Sequence, residues 1–110
     1  MNIGIDIVEV GRIQKLIRDK SFLARVFTDK EIAYCQGKRN KDQHYAVRFA
    51  AKEAVFKALG SGSVALKSIG IKNLPSGKPE VYIRGKRART IDVSLTHTTS
   101  YAAAVAIRHP

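Results

Sequence analysis

The sequence predicts an α+β fold in which a small antiparallel sheet packs with one long helix and shorter N-terminal helices. Two observations carry this. Apolar residues recur at helical spacing from about Glu9 to Leu59, and past Gly60 they fall into short strand-like runs separated by turn residues. A helix-rich half followed by a strand-rich half is the order of an α+β chain, not of an alternating α/β one.

The elements follow in order. Ile3-Gly4-Ile5-Asp6-Ile7-Val8 alternates as a strand, with the isoleucines expected on the core face and Asp6 forced out of it. From Glu9 to Lys20, the spacing of Val10, Ile13, Leu16 and Ile17 predicts a basic amphipathic helix, with Arg12, Lys15 and Arg18 on the remaining surface. Phe22, Leu23 and Val26 continue the pattern. Thr28-Asp29-Lys30-Glu31 has the capping-box form that opens another short helix, which Gly37 ends. Lys38 to Lys41 is a basic connection and the expected mobile loop of this half. Val47, Ala50, Ala51, Ala54, Val55, Ala58 and Leu59 then fit a helical series without a gap, stopped at Gly60. Phe49 and Phe56 lie on its other side, so both faces should be covered, and a subunit contact would explain that. Strands are expected near 69–73, 80–84, 91–95 and 101–107. Pro75-Ser76-Gly77-Lys78-Pro79 and Thr98-Thr99-Ser100 serve as turns. Ala102, Ala103, Ala104 and Ala106 suit close approach of a helix or another subunit.

A length of 110 residues suits one domain, 1–110, with the apolar and charged fractions of an ordinary globular chain. The single cysteine, Cys35, excludes an internal disulfide, no zinc-type ligand set is present, and a cytoplasmic setting is expected. Neither a leader nor an apolar run of about 18 residues is apparent, so export and membrane insertion are not expected. A formal charge of +11 points to an anionic partner. Charge alone does not choose among nucleic acid, phosphorylated cofactor, anionic membrane and acidic protein.

Glu53 and Lys57 stand one turn apart in the order of a surface ion pair, worth about 0.2–0.5 kcal/mol. Asp6 reads equally as a solvated edge residue. If strand and helix are neighbours, the two carboxylates could converge on Mg²⁺ and leave positions for phosphate oxygens, with Lys57 beside them. His97 ends a strand on its apolar side. Gly60-Ser61-Gly62 follows a helix and lacks the Walker lysine, so a plain helix cap accounts for it. His44 and His109 receive no role, and Cys35 reads as core filler.

Together, "GIDIVEVGRI" (4–13), "FTDKE" (27–31), "RFAAKEAVFKALGSG" (48–62), "GKP" (77–79) and "VSLTHTTSYAAAVA" (93–106) closely resemble the holo-acyl-carrier-protein synthases. These are the short, single-unit branch of the 4′-phosphopantetheinyl transferases, and the resemblance runs nearly end to end. It implies that fold, and Mg²⁺-dependent transfer of 4′-phosphopantetheine from coenzyme A to a serine of apo acyl carrier protein, releasing adenosine 3′,5′-bisphosphate. By resemblance, Asp6 and Glu53 are the metal ligands, and Glu53 or a metal-bound water takes the serine proton. Lys57 meets the coenzyme A pyrophosphate. Arg48, Gly60, Ser61, Gly62 and His97 line the cofactor site, with Pro79 and Thr98 near it. Acyl carrier proteins are acidic, so Arg12, Arg18 and Arg25 form the expected docking patch. The short members are trimers with active sites between subunits. Where the family often has Asp-Ile-Glu after the glycine loop, this chain reads Ser68-Ile69-Gly70, and 63–68 aligns poorly.

A small basic nucleic-acid-binding protein would explain the charge but not the paired acids, and aromatic residues for base stacking are few. An inactive carrier-binding module is opposed by the intact Asp6, Glu53, Lys57 and His97.

Overall fold

A computed structural model describes residues 1–60 and 64–110. Its elements are β1 (Asn2–Glu9), α1 (Val10–Leu16), α2 (Lys20–Val26), α3 (Asp29–Gln36), α4 (Lys41–Leu59), a 3-10 turn at Leu66–Ser68, β2 (Ile69–Asn73), β3 (Pro79–Ile83), β4 (Lys86–Arg87), β5 (Ile91–His97) and β6 (Tyr101–Arg108). The strands form two antiparallel sheets, β1-β6-β5 and β2-β3-β4, instead of the single one expected. The reason lies in β3. Left-handed Arg84 (φ 50°) and Gly85 (φ 81°) fold β4 straight back onto it, and β2 takes its other edge, so no edge remains for β5.

The long helix α4 lies on β1 and β6, and the residues between them are small. Gly4 pairs with Ala106, Asp6 with Ala104 and Val8 with Ala102, and this is the side that faces α4. A Cβ on Gly4 would fall 1.9 Å from the Ala54 carbonyl oxygen and 2.8 Å from the Ala58 nitrogen. Only glycine allows strand and helix backbones so close. The expected orientation of β1 is therefore inverted: Ile3, Ile5 and Ile7 stay 65%, 67% and 67% exposed on the far face, and Asp6 sits on the helix side. Bulky isoleucines could not enter an interface spaced for glycine and alanine. The small residues of β6 behave as anticipated, with Ala102, Ala104 and Ala106 buried.

The first helical region is two helices, not one. The helix α1 closes at Ile17, and Asp19 caps α2 by accepting from the Ser21 amide at 2.8 Å, a local bond that competes with continuing the first helix. The capping box of α3 is present in both directions, Thr28 with Glu31. Phe49 is covered by the chain itself: its ring lies 6.2 Å from that of Phe22 on α2. Phe56 is half-buried against the same core. No second subunit is needed to cover that side of α4. The helix stops at Gly60, whose φ of 99° is open to glycine and strained for other residues. No helix among the described residues is long and apolar enough to cross a membrane.

Candidate functional site

Two groups of predicted residues come together, in two places. The first is the junction of β1 with the last turns of α4. Lys57 Nζ lies 3.2 Å from Asp6 Oδ1 and donates to the Ile5 carbonyl at 2.9 Å. The lysine thus reaches across to the strand, and among the described residues it makes no ion pair with Glu53. Glu53 is half-buried, and its pKa is raised, first by burial and next by the Asp6 carboxylate, against the opposing pull of Lys57 and Arg12. Asp6 and Glu53 are therefore neighbours within one chain.

Two carboxylates, with Asp6 close enough to help raise the pKa of Glu53, suit a hard divalent cation, which relieves their repulsion. Among the described residues no third His, Cys, Asp or Glu side chain joins the pair in a group that could hold a metal ion. Such a set suits Mg²⁺, which keeps several positions for water and phosphate oxygens.

The second group lines a cleft of about 550 Å³ between α3, α4, the β2–β3 turn and β5. Arg48, Pro79 and His97 all contribute to its wall, whereas Asp6, Glu53 and Lys57 do not. No carboxylate lines it among the described residues. Arg48 is only 3% exposed, yet its partners are the Asn73 amide oxygen at 2.5 Å, the His44 carbonyl at 3.4 Å and the face of Tyr34 at 4.2 Å. A buried guanidinium with no counter-charge among the described residues, opening on a cleft without acids, has the chemistry to take an anion.

Sequence reasoning missed Tyr34, His44 and Asn73. His44 is one turn before Arg48 on the same helix face, a spacing that could have revealed it; Asn73 ends a strand and carries no such mark. His97 is exposed at the strand's end, opposite Ala102. Thr98 belongs to the turn: its hydroxyl accepts from the amides of Ser100 at 3.2 Å and Tyr101 at 3.0 Å, and it does not line the cleft. Gly60 ends α4 beyond Lys57, while Ser61 and Gly62 lie outside the described residues. Arg12 of α1 is near enough to Glu53 to act on its pKa, Arg18 is exposed between helices, and Arg25 of α2 is exposed and donates to the Ser21 carbonyl at 3.2 Å.

The profile of the 4′-phosphopantetheinyl transferase superfamily matches residues 2–106. A holo-[acyl-carrier-protein] synthase of Geotalea daltonii is 40% identical over 117 aligned positions, covering 94% of each chain. The crystal structure of a Bacillus anthracis holo-(acyl-carrier-protein) synthase in complex with CoA (3′,5′-ADP) has a TM-score of 0.84 at 32% identity, over 99% of this chain and 96% of that one. A Helicobacter pylori holo-[acyl-carrier-protein] synthase in complex with coenzyme A gives 0.80 at 30% identity, over 96% and 98%.

Proposed function

The chain belongs to the holo-[acyl-carrier-protein] synthase family of the 4′-phosphopantetheinyl transferases, and from that premise we propose that it moves 4′-phosphopantetheine from coenzyme A to a serine of apo acyl carrier protein. Adenosine 3′,5′-bisphosphate is the other product. The observation that carries the reading is the acid pair Asp6 and Glu53 with Lys57 bound to Asp6.

Asp6 and Glu53 would hold Mg²⁺, which when bound offsets the charge of the pyrophosphate and fixes its orientation. Glu53 accepts the serine proton as the hydroxyl attacks the β-phosphate in line and the bond to the departing bisphosphate breaks. Lys57, half-exposed beside Asp6, faces the departing bisphosphate and stabilises its growing charge. Arg48 holds a phosphate of the nucleotide end in the acid-free cleft, with Pro79 and His97 in the same wall and the Gly60-Ser61-Gly62 loop following Lys57. Arg12, Arg18 and Arg25 dock the acidic carrier, Arg12 nearest to the acid pair.

Asp6, Glu53 and Lys57 do not line the Arg48 cleft of their own chain, which supports a homotrimer in which a neighbour completes each site. The surface for that contact is the outer face of β1, where three isoleucines stand exposed next to Val105 and Ile107 of β6. The setting is the cytoplasm, where coenzyme A and carrier are both present.

The test is to incubate the protein with coenzyme A, Mg²⁺ and an apo carrier protein, and to follow the carrier by mass spectrometry. A gain of one phosphopantetheine is expected, lost in Glu53→Gln without loss of fold. No gain beside a working synthase would overturn the reading.

A further inference from the structure

Arg48 is buried without a counter-charge among the described residues, and the residue that faces it is an asparagine. Asn73 Oδ1 accepts from Arg48 Nη2 at 2.5 Å, while Asn73 Nδ2 donates to the Gly77 carbonyl at 3.1 Å. The second bond fixes the amide: its oxygen faces the guanidinium and its nitrogen faces the turn. That turn is itself closed by Gly77 N to the Leu74 carbonyl at 2.7 Å and by Leu74 N to the Lys78 carbonyl at 2.9 Å. The acceptor that aims Arg48 is thus built into a hydrogen-bonded hairpin end. On the other side Tyr34 lies against the guanidinium, and its ring also meets Lys38 at 4.5 Å.

For the free protein, a carboxylate at position 73 would satisfy a buried guanidinium better than an amide does. Nor does Cys35 supply negative charge: burial pushes its thiol up to about 11, so it stays neutral beside Arg48. Resting on the proposed reading that Arg48 meets a phosphate of coenzyme A, we infer that Asn73 is a positioning residue that orients Arg48 while leaving its charge uncancelled for the ligand. A neutral acceptor is the only kind that does both.

The inference sets the order of two substitutions. Asn73→Ala loses both amide bonds but leaves the guanidinium charge whole. Asn73→Asp keeps the acceptor and adds a charge that competes with the ligand. Calorimetric titration with coenzyme A, and separately with inorganic pyrophosphate, should show Asn73→Asp weakened at least about tenfold and Asn73→Ala weakened less, with a shallower salt dependence in the Asp variant. Thermal unfolding should run the other way, with Asn73→Ala the less stable, so a merely structural role cannot give the binding order.

If wild type binds coenzyme A and Asn73→Ala is weakened as much as Asn73→Asp, the inference fails and the proposed function stands. If coenzyme A does not bind but pyrophosphate does, with the Asp variant impaired, the proposed function fails and the inference stands. If neither ligand binds, Arg48 serves no anion and both fail.

Discussion

Lys52 Nζ lies 2.6 Å from Glu31 Oε1, with both side chains almost wholly withdrawn from water. Lys52 also donates to the Ile69 carbonyl, and Glu31 accepts from the amides of Thr28 at 2.9 Å and Ile71 at 3.0 Å. One pair thereby fastens the start of α3, the middle of α4 and strand β2, one residue before Glu53. Burial lowers the Lys52 pKa, and Glu31 opposes that fall. Removing the lysine alone strands a buried carboxylate, so Lys52→Met is expected to cost about 3–5 kcal/mol in denaturant unfolding. Adding Glu31→Gln should recover part of it. A loss below about 1 kcal/mol in the single variant would show that the pair is not a structural tie.

Gly4→Ala places a methyl 1.9 Å from the Ala54 carbonyl oxygen, where backbone stands on both sides and no side chain can turn away. The strand must lift from α4, a cost expected to exceed about 3 kcal/mol, beyond the usual range for overpacking. Gly11, with nothing within 4 Å of an added Cβ, is the control. Equal unfolding midpoints for Gly4→Ala and Gly11→Ala would refute the close approach.

The contrast between these glycines shows where sequence was legible. Periodicity located α4 and its stop at Gly60, and the capping box located α3, because both are local and each needs only neighbours in the chain. The orientation of β1 was not local. Alternation separates Ile3, Ile5 and Ile7 from Gly4 and Asp6, but the inner face was decided by the spacing to α4, where small residues win over greasy ones. The break at Asp19 was a local contest that helical periodicity concealed. Asp6, Glu53 and Lys57 could be named from motif resemblance, but their pairing could not: Lys57 chose Asp6 on the strand over Glu53 one turn away. Asn73 was invisible because its meaning comes from a residue 25 positions earlier.

His44 gives a pH dependence with a definite sign. Burial first, then Arg48, Lys38 and His97, lower its pKa from the ordinary 6.5, and Tyr34 packs edge-on against the ring at 5.7 Å. The folded chain prefers the neutral ring, so this contribution to stability is held above about pH 6.5 and lost as pH falls below it. His44→Gln should therefore flatten part of the acid-side decline of the melting temperature between about pH 8 and about pH 5. Coenzyme A, by bringing negative charge into the cleft, should flatten it in wild type too. Parallel curves for wild type and His44→Gln would refute the assignment.

Ile5→Lys tests the assembly. The side chain is 67% exposed on the single chain, in the middle of the isoleucine row, so the substitution should change folding of an isolated protomer by no more than about 0.5 kcal/mol. In a trimer closed by that face, each lysine would be buried against apolar neighbours without a partner, which is far costlier. Sedimentation should then show a trimer for wild type and a protomer for the variant. Phosphopantetheine transfer should vanish with the trimer, because the acids of one chain no longer meet the Arg48 cleft of another. A variant that keeps wild-type mass and turnover would place the subunit contact elsewhere, and a fully active wild-type monomer would show that one chain brings both groups together by itself.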